Sequence, residues 1–391
     1  MSLSSHTTFG IGDLQDVLDR GMDRVGANFR QRWSKAGASF EMPIVLHGSG
    51  ELGRRTLDLF RKAIGTDPVA FTDNNHELWG TSIGGIVVTD PGTAIEKWGI
   101  TGVFVATLYN PAPVVAQLRR AGASIAVPWH WMFAADDQHF LPYWSLDIPE
   151  RVFSQPERVI AGAEIWADEA SRSAYLEQLR WLMTLDSDSL MPRLDLNELY
   201  FDHKLIELSN QEVFVDCGAF DGDSFSRFQE RTSGAFDSAH LIEPDPDNFR
   251  NLARWHSTLS VNEQASISLQ NCALGSEEGL ARFTARGNAS SSLDPDGGIV
   301  VQVSRLDSLV PASKVTFVKV DVEGGEIEVL KGASAILDEG RSTWAVMSYH
   351  RPEHLWEIPL ELAKYGRRDL YLRRYAEDSW ERCIYAVAQP K

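Results

Sequence analysis

Two stretches limit what this chain can fold into more than any other feature. They are "PIVLHGSGELGRRTLDLF" (43–60) and "VFVDCGAFDGDSFSRF" (213–228). Each runs from a short apolar segment through a glycine turn into an amphipathic helix. An apolar run without polar alternation is a strand buried on both faces, as in a parallel sheet, and the helix after it is the crossover. The alternation continues after both. "PVAFTDN", "TAIEKWG", "GVFVAT", "PAPVVAQLRRAG" and "SIAVPW" carry the first to residue 128. "SAHLIEPD", "PDNFRNLARWHST", "ASISLQNCALG", "VTFVKVDVEG", "EIEVLKGASAILDEG" and "TWAVMSYH" carry the second. Within the second half "LARFTARG" reads as a hairpin strand, and "DLYLRRYAED" with "WERCIYAVAQ" as an antiparallel pair near the end.

The predicted class is therefore α/β, with two Rossmann-like parallel-sheet domains. A helical lead-in of mixed charge occupies 1–42 and the first domain 43–128. A helical, aromatic bridge spans 129–200, and the second domain 201–391. A chain of 391 residues is too long for one ordinary core, which agrees with this division. Five of the 12 tryptophans fall in the bridge: Trp129, Trp131, Trp144, Trp166 and Trp181. Such rings stack on sugars, but more often they cement an interface.

Composition excludes some partners. A net charge of −18 disfavours nucleic-acid backbones and anionic membranes, although it leaves room for a local basic patch. No apolar run approaches the ~20 residues that span a bilayer. The start of the chain lacks the basic and apolar regions of a secretion signal. Cys217, Cys272 and Cys383 show no metal or disulfide spacing and read as reduced thiols, giving an expected cytoplasmic setting. A homo-oligomer is left open.

The first turn, "GSGELG", fits G-x-G-x-x-G with Gly48, Gly50 and Gly53, and Asp73 stands where a ribose acid would. By motif alone this is a dinucleotide site, and an NAD(P)-dependent oxidoreductase is one reading of the chain. No constellation suited to hydride transfer follows it. The stretch after the turn also resembles the small nucleotide-binding domains ahead of sugar acyltransferases. That resemblance implies an activated sugar, another nucleotide-like ligand, or a lost site.

The second turn holds Asp216, Gly218, Ala219 and Gly222, with a helix opening near Ser224. Glycines allow close approach of the backbone to a ligand, and free helix N–H groups favour an anion. Glu243 ends the next strand, where a carboxylate grips ribose hydroxyls. Further on come "NCALG", "SSSL", "RLDSL", "FVKVDVEGGEIEVLKGA" and "MSYH". In this order, over roughly 199–391, the motifs resemble the FkbM family of S-adenosylmethionine-dependent methyltransferases. The resemblance implies a class I methyltransferase fold, S-adenosyl-L-methionine as cofactor, and O-methylation of a sugar or glycosylated natural product. It matches Asp216, Gly218 and Gly222 to the methionine-binding turn and Glu243 to the ribose. Asn271, Cys272 and Ala273 match the strip beside the adenine, and Ser291 and Ser292 a serine pair facing substrate or cofactor.

Independently of family, Asp321, Glu323 and His350 stand at adjacent strand ends, where open parallel sheets hold their ligands. An alcohol is a poor nucleophile at neutral pH, so a base near the donor is expected, and these three are the candidate catalytic residues. Histidine has the best unperturbed pKa for the task. The same trio has the chemistry to bind a divalent cation, but direct base catalysis without a metal is the expectation. A scaffold with two vestigial nucleotide folds is the third alternative.

Overall fold

In the computed structural model the described residues are 9–108, 110–186, 190, 193–287, 291–366, 368–376 and 380–389. The chain divides into two compact units. The first contains residues 1–156, 176–191 and 377–380, and the second contains 157–175, 192–376 and 381–391. The predicted bridge is therefore shared out rather than standing as a separate body. Its tryptophans go the same way. Trp129 and Trp181 are buried in the first unit, where Trp129 packs edge-on against Phe133 and Tyr143. Trp166 packs on Tyr175 in the second.

The first unit holds a six-stranded sheet. Ile44–His47, Ala70–Thr72, Ile86–Thr89, Val103–Ala106 and Ile125–Pro128 run parallel, and Ser82–Ile83 adds an antiparallel edge. Local chemistry starts and stops its helices. Asp90 accepts from Thr93 N and Pro91 opens Pro91–Trp98, while left-handed Gly65 ends Glu51–Ile64. Ahead of the sheet lie Ile11–Arg20, Met22–Arg30 and Arg32–Lys35.

The second unit is built on a seven-stranded sheet. From one edge the order is Arg368–Arg374, Arg382–Ala388, Thr343–Met347, Phe317–Val320, Val213–Cys217, Ser238–Ile242 and Ile267–Gln270. All pairings are parallel except the two made by Arg382–Ala388. That is the mixed α/β order of class I methyltransferase folds. Val213–Cys217 is central: the chain first builds to one side of it and then to the other. The reversal opens a crevice at the carboxyl ends of the strands. Phe214, Phe228 and Phe317 pack beneath the sheet, with Phe214 stacked on Phe228 at 4.4 Å. A separate four-stranded sheet carries "LARFTARG" as Gly279–Thr284, antiparallel to Ile299–Ser304.

Candidate active site

At that reversal the second unit has a cleft of about 260 Å³. One end is walled by Gly218, Phe220, Glu243, Cys272 and Ala273, the other by Asp321, Glu323, Tyr349 and Glu381.

The glycine turn is shaped mainly by the protein itself. Gly218 has φ +86, and a Cβ there would stand 1.9 Å from the carbonyl of Asp321. Gly222 has φ +91, and its Cβ would press on Leu252 at 3.2 Å. Gly218 also lines the cleft, whereas Gly222 does not. Backbone handedness and the neighbouring strand end already require glycine. Asp216 is likewise not on the cleft wall. It is fully buried, paired to Lys319 Nζ at 3.0 Å and accepting from Ser224 Oγ. Lys319 faces Asp216 across the strand pairing and also donates to the Gly218 carbonyl at 2.5 Å. Burial works against the Lys319 charge, but Asp216 and Asp321 outweigh it and raise its pKa. Asp216, Ser224 and Lys319 therefore clamp the turn, and Ala219 is buried within it.

Glu243 does reach the cleft. Its Oε2 accepts from Phe220 N and its Oε1 from Asp245 N, each at 2.9 Å, which aims the carboxylate and leaves further lone pairs. Burial pushes its pKa up. Cys272 and Ala273 lie on the wall, whereas exposed Asn271 faces away and donates Nδ2 to the Glu243 carbonyl at 2.8 Å. Ser291 and Ser292 line the cleft too. Ser291 donates to buried Asp245 at 2.6 Å, and Asp245 also accepts from Arg286 N, Gly287 N, Asp247 N and Asn248 N. One aspartate thus caps the helix Pro246–Ser257 and ties down the serine loop. Residues 288–290 of that loop lie outside the described residues.

At the other end, "DVEGGE" folds around the acid that opens the helix Glu326–Gly332. Glu326 is fully buried. Its Oε1 accepts from Val322 N, Gly324 N and, at 2.7 Å, from His350 Nδ1. Its Oε2 lies 3.1 Å from His354 Nδ1. Glu328 stays on the surface with Lys331 and Ser276, as a first-turn acid should. His350 does not line the cleft. It sits behind it, with Nε2 at 3.4 Å from both Asp321 Oδ1 and Glu323 Oε1. Burial would lower the imidazole pKa, but Glu326 and Glu323 override it and hold it well above its usual value. With Nδ1 on Glu326 and Nε2 towards Asp321 and Glu323, His350 is placed to orient carboxylates rather than to reach an acceptor in the cleft.

Asp321 and Glu323 face the cleft. Tyr200 donates to Asp321 Oδ2 at 2.7 Å, while Asp321 Oδ1 is buried with no hydrogen-bond partner. Glu323 takes the left-handed conformation, φ +56, unusual for a side chain and often found at functional sites. Glu381, absent from the sequence-level candidates, joins this wall. Burial, reinforced by Asp321, raises its pKa to about 7. Only the antiparallel return of the last strands brings it here. Asp321, Glu326 and His350 also place three potential cation ligand atoms within 4.8 Å of one another, but Nδ1 of His350 is committed to Glu326.

The first turn, in the other unit, is closed on itself. Ser49 N and Oγ both donate to Asp73 Oδ2, at 2.8 and 2.5 Å, and Asn75 N donates to Oδ1 at 2.9 Å. The Cβ of a residue replacing Gly53 would meet the Gly48 carbonyl at 2.0 Å, and one at Gly48 the Thr107 carbonyl at 2.9 Å. Gly50 is the extended N-cap of the helix. The motif's glycines thus serve strand–helix packing, and its acid is occupied locally.

Residues 216–374 match the family model of the methyltransferase FkbM domain. No curated protein matches the sequence. Among solved structures, an FkbM methyltransferase from Methylobacillus flagellatus KT superposes with a TM-score of 0.75 at 21% identity, covering 96% of this chain and 98% of its own. An rRNA methylase from Streptococcus thermophilus overlaps 51% of this chain and 99% of its own, at 12% identity and TM-score 0.32. Fibrillarin from Aeropyrum pernix overlaps 47% and 70%, at 16% identity and TM-score 0.28. The residues that match the FkbM methyltransferase domain model supply most of the lining of the cleft.

Proposed function

We propose that this domain transfers a methyl group from S-adenosyl-L-methionine to a hydroxyl of a small acceptor, a sugar or glycosylated metabolite. The observation that carries this reading is one cleft walled by an aimed carboxylate, Glu243, at one end and an acid cluster, Asp321, Glu323 and Glu381, at the other. When bound, S-adenosylmethionine supplies a methyl carbon made electrophilic by its sulfonium.

The residues of the chain fit that group. Glu243 keeps lone pairs to accept both ribose hydroxyls, Cys272 and Ala273 offer a flat apolar strip for adenine, and the turn at Gly218 borders the remainder. Asp321 accepts the acceptor's hydroxyl proton as the oxygen forms its bond to carbon and the sulfur–carbon bond breaks. Tyr200 holds one oxygen of Asp321 and His350 faces the other. Glu326 holds His350 by Nδ1, and His350 faces Asp321 and Glu323 and so positions the cluster. Catalysis then consists of alignment plus a general base, the two contributions this displacement needs.

Calorimetric titration with S-adenosylhomocysteine tests the donor half. Glu243→Ala should weaken binding about 10- to 100-fold, the worth of hydrogen bonds to a charged group. Unchanged affinity in that variant refutes the assignment. A screen of sugar and glycoside acceptors with radiolabelled donor tests the acceptor half.

A further inference from the structure

The first unit contains a larger cavity, about 680 Å³, remote from "GSGELG" in its lining. Among the described residues its wall carries Arg20, Arg24, Arg32, Lys35 and Arg119, against a single carboxylate, Asp16. Five cations facing one acid is a local reversal in a chain of net charge −18. Arg20 comes from Ile11–Arg20, Arg24 from Met22–Arg30, and Arg32 and Lys35 from Arg32–Lys35, and Arg119 is added by the helix Ala112–Arg120.

The contacts of Arg20, Lys35 and Arg119 leave their charges largely uncompensated. Arg20 approaches Asp16 only to 3.9 Å, with both side chains well exposed, an arrangement of small worth. Lys35 Nζ donates to the amide oxygen of Asn28 at 2.8 Å, and Arg119 to the carbonyl of Ala126 at 2.8 Å. Both partners are neutral. Arg32 lies over the Trp131 ring at 5.6 Å. The indole N–H of Trp131, itself a wall residue, is buried with no hydrogen-bond partner, an observation independent of the charges.

We propose that this cavity binds a phosphorylated small molecule of the diphosphate class, with the guanidinium and ammonium groups on the phosphates and the Trp131 face of the cavity against the organic part. Guanidinium forks match phosphate oxygens two at a time. The volume falls in the range of small-molecule sites, about 300–1,000 Å³. A polymer such as RNA would extend past the cavity over a chain of net charge −18, so a compact polyanion is favoured. The phosphorylated ligand that the sequence pattern assigns to "GSGELG" thus has its cationic counterpart on the lead-in helices instead.

The test is calorimetry on the full chain with inorganic pyrophosphate and with uridine diphosphate, in wild type and in Arg24→Gln/Lys35→Gln. Both substituted side chains are exposed, so folding should be kept, and S-adenosylhomocysteine binding serves as the internal control. Both phosphates should bind, more weakly as salt rises, and the double variant should lose about tenfold or more in affinity with the control unchanged. No binding by either phosphate at millimolar concentration while the control binds would overturn the proposal. So would affinity that survives the double variant, or that is lost in Asp73→Ala instead. Retention of single-stranded RNA or anionic vesicles without pyrophosphate binding would also overturn it.

Discussion

Asp321 concentrates the chemistry of the cleft in one side chain. Its Oδ2 is held by Tyr200, its Oδ1 faces His350, and its backbone carbonyl forbids any side chain at position 218. Asp321→Ala should lower kcat about 10²- to 10⁴-fold with donor affinity kept, as for loss of a general base. Single-turnover rates beside calorimetry would show it, and a change below threefold would remove Asp321 from that role. Gly218→Ala drives a Cβ into that carbonyl at left-handed φ, so it should destabilise by at least ~3 kcal/mol in urea denaturation. Glu381 gives the pH dependence. Its carboxyl titrates at about 7 rather than at 4.5. An ionised Glu381 gives the cleft wall a further proton acceptor, so kcat/KM should rise through about pH 7 and lose that limb in Glu381→Gln. Stability runs the opposite way. A raised carboxyl pKa favours the fold below the unfolded value near 4.5 and loses that contribution as pH rises through about 7. Above neutrality Glu381→Gln should therefore melt higher than wild type. These residues differ in how visible they are in the sequence. Asp321 and Glu323 stand in a strand-end motif, whereas Glu381 is one glutamate in a surface-like "DSWER" until the last strand folds back.

Whole turns and helix starts also depend on single buried acids. Glu326 gathers Val322 N, Gly324 N, His350 and His354 and so sets the shape of the "DVEGGE" turn. Burial alone would raise its pKa, but His350 and His354 hold it well below the usual value. The stability it lends is present above its unfolded pKa of about 4.5 and is lost as pH falls through the lower folded value. Glu326→Gln should cost several kcal/mol at pH 7, about 3–5 for a broken buried ion pair, and flatten the acid limb of a thermal-melt series. An unchanged acid limb would mean that Glu326 carries no such charge. Asp245 does comparable work for the helix Pro246–Ser257 and the serine loop. Asp245→Ala should cost about 1–2 kcal/mol through the cap alone and raise KM for the donor more than it lowers kcat. Helix starts of this kind are readable from Asp-Pro spacing, because the cap is local. The turn around Glu326 is not readable, because its partners lie on two other elements.

For the whole molecule, two units each enclose a parallel sheet, and each has its own cavity of different character. Among the described residues no helix is long and apolar enough to cross a membrane. The acid cleft already has His350 among its carboxylates as a counter-charge, so methyl transfer should persist in excess chelator. Activity that vanishes with chelator and returns with a divalent cation would instead give the Asp321, Glu326 and His350 cluster a metal.

By itself the sequence determined the alternation of strands and helices, the parallel core of both sheets, and the strand-end positions of Glu243, Asp321 and Glu323. These follow from periodicity, glycine turns and local capping, which act over a few residues. Only the tertiary structure decided which polar groups were free to act. It turned Asp216 inward onto Lys319 and closed Asp73 onto Ser49. It also set His350 behind Asp321 and Glu323, brought in Glu381, and set the lead-in cations around one cavity. The reason is physical: whether a carboxylate or imidazole is a ligand, a clamp or a base depends on burial and on charges from distant elements, and no local pattern records those.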